Sequence, residues 1–142
     1  PVYAEGELDD RLCPWCIADG SAHGRFGAES TDPASVGGFG GDEVPGVVET
    51  IAFRTPGCSG WQQERWFTHC GDGAAFLGRA DSGRLRSEWA AALPSLRESA
   101  PVSDEAWDTI LRSFATGPTG SPTAFMFRCL HCGTLGGYWD AD

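Results

Sequence analysis

The chain's sixteen-residue segment Thr123-Ala124-Phe125-Met126-Phe127-Arg128-Cys129-Leu130-His131-Cys132-Gly133-Thr134-Leu135-Gly136-Gly137-Tyr138 decides the fold. Phe125, Met126 and Phe127 suit a pleated, buried surface, so residues 123–128 predict a strand. Cys129-Leu130-His131-Cys132-Gly133 predicts a tight turn, and residues 134–138 return antiparallel. The two thiols of that turn lie close enough to share a tetrahedral ion. Gly133 follows the second thiol, where the backbone needs positive φ to aim its amide at sulfur, and a residue without Cβ reaches that region without a clash. The stretch therefore predicts a zinc knuckle on a β-hairpin.

Zinc wants four ligands, and a second pair stands at Cys13-Pro14-Trp15-Cys16. Residues 17–128 separate the two pairs, far more than in a compact zinc ribbon. If both pairs hold one ion, the metal ties the chain ends together around an inserted helical body. The expected fold class is α+β: a small zinc-knuckle β-hairpin region joined to a helical body, as one domain over residues 1–142. The expected Zn2+ ligands are Cys13, Cys16, Cys129 and Cys132. His69 and Cys70 are additional candidates, although adjacent side chains are hard to direct at one ion, and core or hydrogen-bonding roles compete. Cys58 reads as a buried small residue.

Cys-Pro-aromatic-Cys also occurs in glutaredoxin-like proteins. That chemistry favours a first Cys at a helix start after a buried strand, and Leu8-Asp9-Asp10-Arg11-Leu12 is not one. A nucleophilic Cys70 activated by His131 or His23 has no spacing rule behind it.

Between the pairs the signals are mostly helical. Val44, Val47, Val48 and Ile51 share one helix face, with Pro45 tolerated in the first turn and Arg54-Thr55-Pro56-Gly57 ending it. Ser59 to Gln62 has the form of a capping box and predicts a helix start near Gly60. Asp72 predicts a cap for a short turn through Ala74, Ala75, Phe76 and Leu77. Leu85, Trp89, Ala92, Leu93 and Leu96 repeat near helical spacing, divided by Pro94. Ser103 caps the clearest helix, with Trp107, Ile110, Leu111 and Phe114 on one face and Gly117-Pro118 as its stop. Residues 29–42 read as a surface loop, and Gly37-Gly38-Phe39-Gly40-Gly41 lacks the strand and Lys of a phosphate loop. Trp61-Gln62-Gln63-Glu64-Arg65-Trp66 reads as a core segment whose polar groups satisfy backbone. Asp9, Asp10, Asp72, Asp140 and Asp142 read as solvated surface charge.

Composition narrows the function. The 142 residues carry ten cations, all Arg, against twenty acids, a formal charge of −10. A Lys-free chain has no Schiff-base chemistry, and an acid excess speaks against generic nucleic-acid or anionic-membrane binding. It suits a protein partner with a basic surface. No apolar run reaches the roughly 20 residues of a membrane-spanning helix. Without an export signal, six Cys point to reduced thiols and a cytoplasmic setting. Pro1 fits either removal of an initiator Met or a chain that begins inside a longer protein.

Several blocks together are similar to the CbrC family, bacterial proteins named for a colicin-tolerance phenotype. They are Cys13-Pro14-Trp15-Cys16-Ile17-Ala18-Asp19-Gly20-Ser21-Ala22, Arg54-Thr55-Pro56-Gly57, Gly60-Trp61-Gln62-Gln63-Glu64-Arg65-Trp66, His69-Cys70-Gly71-Asp72 and Phe127-Arg128-Cys129-Leu130-His131-Cys132-Gly133. The resemblance implies an unknown biochemical role, associated with tolerance to bacteriocin-type toxins. It also implies a further cysteine-rich turn upstream of Pro1-Val2-Tyr3. If that turn partners Cys13 and Cys16, then Cys129 and Cys132 need other ligands, and Cys70 leads. The expected function is a cytosolic, non-enzymatic, zinc-binding protein-interaction module. The alternative is a zinc- or thiol-dependent enzyme using an open metal position or Cys70.

Overall fold

A computed structural model of the chain describes residues 2–8, 11–37, 45–117 and 120–142. The readings placed on Pro1, Asp9, Asp10, Gly38, Phe39, Gly40, Gly41, Val44 and Pro118 lie outside the described residues. In chain order the elements are α1 (Pro14–Ala18), α2 (Ser21–Phe26), a 3-10 turn (Pro33–Ser35), α3 (Pro45–Arg54), β1 (Thr68–His69), β2 (Asp72–Gly73), β3 (Ala75–Ala80) and α4 (Ser82–Arg86). A second 3-10 turn (Ala90–Ala92), α5 (Leu93–Glu98), α6 (Asp104–Ser113), β4 (Thr123–Arg128) and β5 (Leu135–Asp140) complete them. The fold class is α+β. No helix among the described residues is long and apolar enough to cross a membrane.

Strand β4 is the middle of an antiparallel sheet ordered β3-β4-β5. Its side chains alternate between two cores, as the two-residue period of a strand requires. Phe125 and Phe127 join Tyr138, Trp66, Phe67, Val36 and Ile51 on one face. Ala124 and Met126 join Leu85, Trp89, Leu96 and Phe114 on the other. Helix α3 packs Val47 and Val48 against the first core. Trp107, Ile110 and Leu111 of α6 pack against the second. Fully burying an aromatic side chain contributes roughly 1.5–3 kcal/mol, and Phe125, Phe127 and Tyr138 are each sealed from solvent. The hairpin is thus the central layer of the fold, where the sequence suggested a small appendage to a helical body.

The capped helix appears as read: the Ala106 amide donates to Ser103 Oγ at 3.2 Å. Pro94 sits in the first turn of α5, after the 3-10 turn, and divides that element. Two expected helices are absent. Around Gly60 the Trp61 and Gln62 amides donate to Asp140 Oδ2 at 2.9 and 3.1 Å. Those amides are the ones a helix start would leave free, and the carboxylate of β5 takes them instead, so Asp140 is a buried acceptor where the sequence suggested solvated charge. The segment beyond is extended, with Glu64 buried under the Tyr3 hydroxyl at 2.7 and 2.9 Å. Asp72 and Gly73 form β2 against β1, and Ala75, Phe76 and Leu77 open β3 against β4, so strand pairing outweighs the local cap signal of Asp72. The expected surface loop is also corrected within residues 29–37. Ser30, Thr31 and Val36 are buried, and bridges tie Glu29 to Tyr3 and Val36 to Trp66.

Candidate metal centre

Two hairpin turns meet at one end of the structure. In the first, His69 pairs with Asp72 across β1 and β2, leaving Cys70 and Gly71 as a two-residue turn. Both have positive φ, 54° and 70°. Two such residues in succession make the left-handed turn whose twist matches antiparallel strands. Cys70 is the one non-glycine residue with positive φ among those described. This turn removes the difficulty expected of neighbouring side chains: Cys70 Sγ and His69 Nδ1 lie 3.2 Å apart on one side of the chain.

The second turn is Cys129-Leu130-His131-Cys132-Gly133, between β4 and β5. The Cys129 amide donates to Thr134 O at 2.8 Å, and the Gly133 amide to Cys129 O at 3.1 Å. Gly133 has φ 76°, the positive value expected of it. Sheet register brings the turns together. Ala75 pairs with Arg128, so the chain entering β3 and the chain leaving β4 share one end of the sheet. Cys129 Sγ donates to His69 O at 3.7 Å across the gap.

The ligand atoms of His69, Cys70, Cys129 and Cys132 all lie within 4.8 Å of one another. Two sulfurs about 2.3 Å from a tetrahedral ion stand about 3.8 Å apart, and a sulfur and an imidazole nitrogen about 3.6 Å. Cys70 Sγ to Cys132 Sγ is 3.7 Å, and Cys132 Sγ to His69 Nδ1 is 3.4 Å. The cluster could therefore hold a metal ion with little rearrangement. Its thiols are unequal. Cys132 is held below the ordinary thiol range by the Thr134 hydroxyl and amide, and Cys129 by the backbone amides of its own turn. Cys70 donates to the Cys132 sulfur and is pushed up to about 11.

The structure divides the sequence-expected ligands. Cys129 and Cys132 are in the cluster, and so are the additional candidates His69 and Cys70. Cys13 and Cys16 lie outside it and face each other, Sγ to Sγ at 2.7 Å. Cys13 caps α1, accepting the Cys16 amide at 3.3 Å. The missed signal was Thr68-His69-Cys70-Gly71-Asp72-Gly73, a Cys-Gly hairpin turn misread because its strands are only two residues long. His131 Nε2 lies 2.9 Å from Asp72 Oδ2. Cys58 is buried beside the Tyr138 hydroxyl at 3.8 Å. An open groove of about 450 Å³ runs past the site, lined by Val47, Ile51, Trp66, Phe76, Asp72 and Leu130.

The model of the uncharacterised protein family UPF0167 matches residues 1–141. A UPF0167 protein of Mycobacterium bovis is 45% identical over 142 residues, which covers 99% of this chain and 74% of the relative. One from Mycobacterium tuberculosis has the same identity and coverage. One from Pseudomonas aeruginosa is 40% identical over 149 residues, covering 99% of this chain and 75% of that one. No solved structure matches the chain. None of these matches carries the CbrC name, so the resemblance drawn from the sequence blocks is corrected. The chain, with 141 of its residues under one family model and relatives of the same family along nearly its whole length, belongs to the uncharacterised protein family UPF0167.

Proposed function

We propose that this is a zinc-binding protein in which His69, Cys70, Cys129 and Cys132 hold one structural Zn2+, and that it serves as a non-enzymatic protein-interaction module in the cytoplasm. The observation that carries the reading is the convergence of three sulfurs and one imidazole nitrogen within 4.8 Å from two hairpin turns. Soft thiolates with imidazole at tetrahedral spacing favour zinc over the hard cations. Four protein ligands complete a tetrahedron and leave no position for a reacting water, which favours a structural role over an enzymatic one. The ion would clamp the β1–β2 turn onto the β4–β5 turn. All six cysteines are free thiols, in keeping with a reducing compartment. A formal charge of −10 favours a basic protein partner over nucleic acid or membrane.

Metal analysis and cobalt substitution test this reading. Natively purified protein should carry one equivalent of zinc, and the Co2+ form should show the strong visible bands of a tetrahedral site with sulfur-to-metal charge transfer. Substoichiometric zinc with all thiols free to alkylate, or the weak spectrum of a six-coordinate ion, would sink it. A five-coordinate or water-bearing cobalt spectrum would favour the enzymatic alternative.

A further inference from the structure

The Cys13–Cys16 pair remains after the metal cluster is accounted for. No group of three or more ligand atoms among the described residues includes either thiol. Both are half-buried, and Trp15 between them is 78% exposed. The sulfurs stand 2.7 Å apart, far inside the separation of about 3.8 Å that a shared tetrahedral ion imposes. They lie nearer to the bonding distance of about 2.05 Å. The turn that holds them is anchored within itself and on its C-terminal side. The Cys16 amide donates to Cys13 Sγ at 3.3 Å, Ser21 Oγ donates to Cys16 O at 3.3 Å, and Arg54 Nε donates to Ala18 O at 3.0 Å.

We propose that Cys13 and Cys16 form a two-electron dithiol–disulfide site, separate from the metal cluster, that exchanges with low-molecular-weight disulfides. The sequence argued against such chemistry because no buried strand leads into Cys13. Among the described residues no strand leads into it either. Exchange itself needs only an accessible thiolate and a resolving thiol within reach, and the amide and thiol of Cys16 both point at Cys13 Sγ.

The Cys13 thiolate attacks one sulfur of a disulfide RSSR, breaking its S–S bond and releasing RS−. The Cys16 thiolate then attacks Cys13 Sγ of the mixed disulfide, forming the Cys13–Cys16 bond and releasing the second RS−. The protons lost by Cys13 and Cys16 end on the two RS−, giving two RSH. The protein dithiol is oxidised by two electrons and RSSR is reduced by two.

The test uses the full chain, metal-loaded, equilibrated in glutathione buffers of stepped ratio of oxidised to reduced form, then acid-quenched, alkylated and mapped by mass spectrometry. The peptide carrying Cys13 and Cys16 should lose two hydrogens cooperatively and regain them with dithiothreitol. Cys70, Cys129 and Cys132 should stay protected by metal. Cys16→Ser should trap Cys13 as a glutathione mixed disulfide, while Cys13→Ser should slow the first step. Two results overturn the proposal: a pair that stays fully reduced in the most oxidising buffer, or a second metal equivalent that is lost in the Cys13→Ser and Cys16→Ser proteins. Failure of the zinc reading would instead appear in a separate sample, alkylated at neutral pH without the acid quench, as rapid labelling of the three cluster thiols, whatever the state of Cys13 and Cys16.

Discussion

Serine substitutions at single cysteines separate the two ways of pairing the thiols. Structural zinc sites bind with about 10–16 kcal/mol, so an even share for one of four ligands is about 2.5–4 kcal/mol. That share is roughly a 10²- to 10³-fold loss of affinity. Cys70→Ser and Cys132→Ser should each show it, because both sulfurs stand at tetrahedral spacing from one another and from His69 Nδ1. Cys13→Ser and Cys16→Ser should leave affinity within about twofold of wild type, a difference of about 0.4 kcal/mol. Stability follows by mass action. With free zinc at about 1,000 times the wild-type Kd, binding adds about 4 kcal/mol, and a hundredfold weaker site adds only about 1.4. The difference, about 2.7 kcal/mol, should lower Tm by roughly 5–11 °C at this chain length. Competition against a chromophoric zinc chelator reads the affinity, and calorimetry in buffered zinc reads the Tm. Equal weakening by Cys13→Ser and Cys132→Ser, or wild-type affinity in Cys70→Ser, would refute the cluster as the site.

Three further outcomes check the scaffold. Gly136→Ala should destabilise by about 1–3 kcal/mol, since its Cβ would clash with the tip of the Phe67 ring on the first core; denaturant unfolding measures it, and an unchanged midpoint would mean the tip of that ring does not press on Gly136. Ser103→Ala should cost about 1 kcal/mol through loss of the cap on α6, with no change in zinc affinity. Burial holds the Asp140 carboxyl above its ordinary value, against the amides of Gln62 and Trp61, which pull it down. A raised folded pKa means that the native state binds the extra proton, so this contribution is fully present below about pH 4 and is lost as pH rises through the folded value. The stability of wild type minus that of Asp140→Asn should therefore fall with rising pH above about 4, and a difference that rises instead would contradict the burial of this group.

Much of this protein is legible locally. The sheet preference of Phe125-Met126-Phe127, the Cys-x-x-Cys-Gly turn and the cap at Ser103 each depend on a few adjacent residues, and each appears in the structure as read. Half of the cluster was legible as well, because Cys129 and Cys132 carry their spacing with them. The misreadings share a different cause. Ser59 and Asp72 carry genuine cap signals. Ser59 loses to the Asp140 carboxylate far along the chain, and Asp72 to the β1–β2 pairing with His69, behind which residues from Ala75 on pair with β4. Cys70 was ambiguous because its geometry depends on a left-handed turn that closes only when two very short strands pair.

The sequence by itself determined the α+β class, a hairpin carrying a Cys-x-x-Cys-Gly turn, and the supply of soft ligands in a chain without Lys, but not the central place of that hairpin in the fold. Tertiary structure alone decided which ligands meet. The pairing of Ala75 with Arg128 sets two turns, some sixty residues apart, at one end of the sheet and leaves Cys13 and Cys16 to each other. Ligand spacing within a turn is covalent and local, whereas the meeting of two turns is a matter of strand register, which only the buried faces of the folded sheet specify.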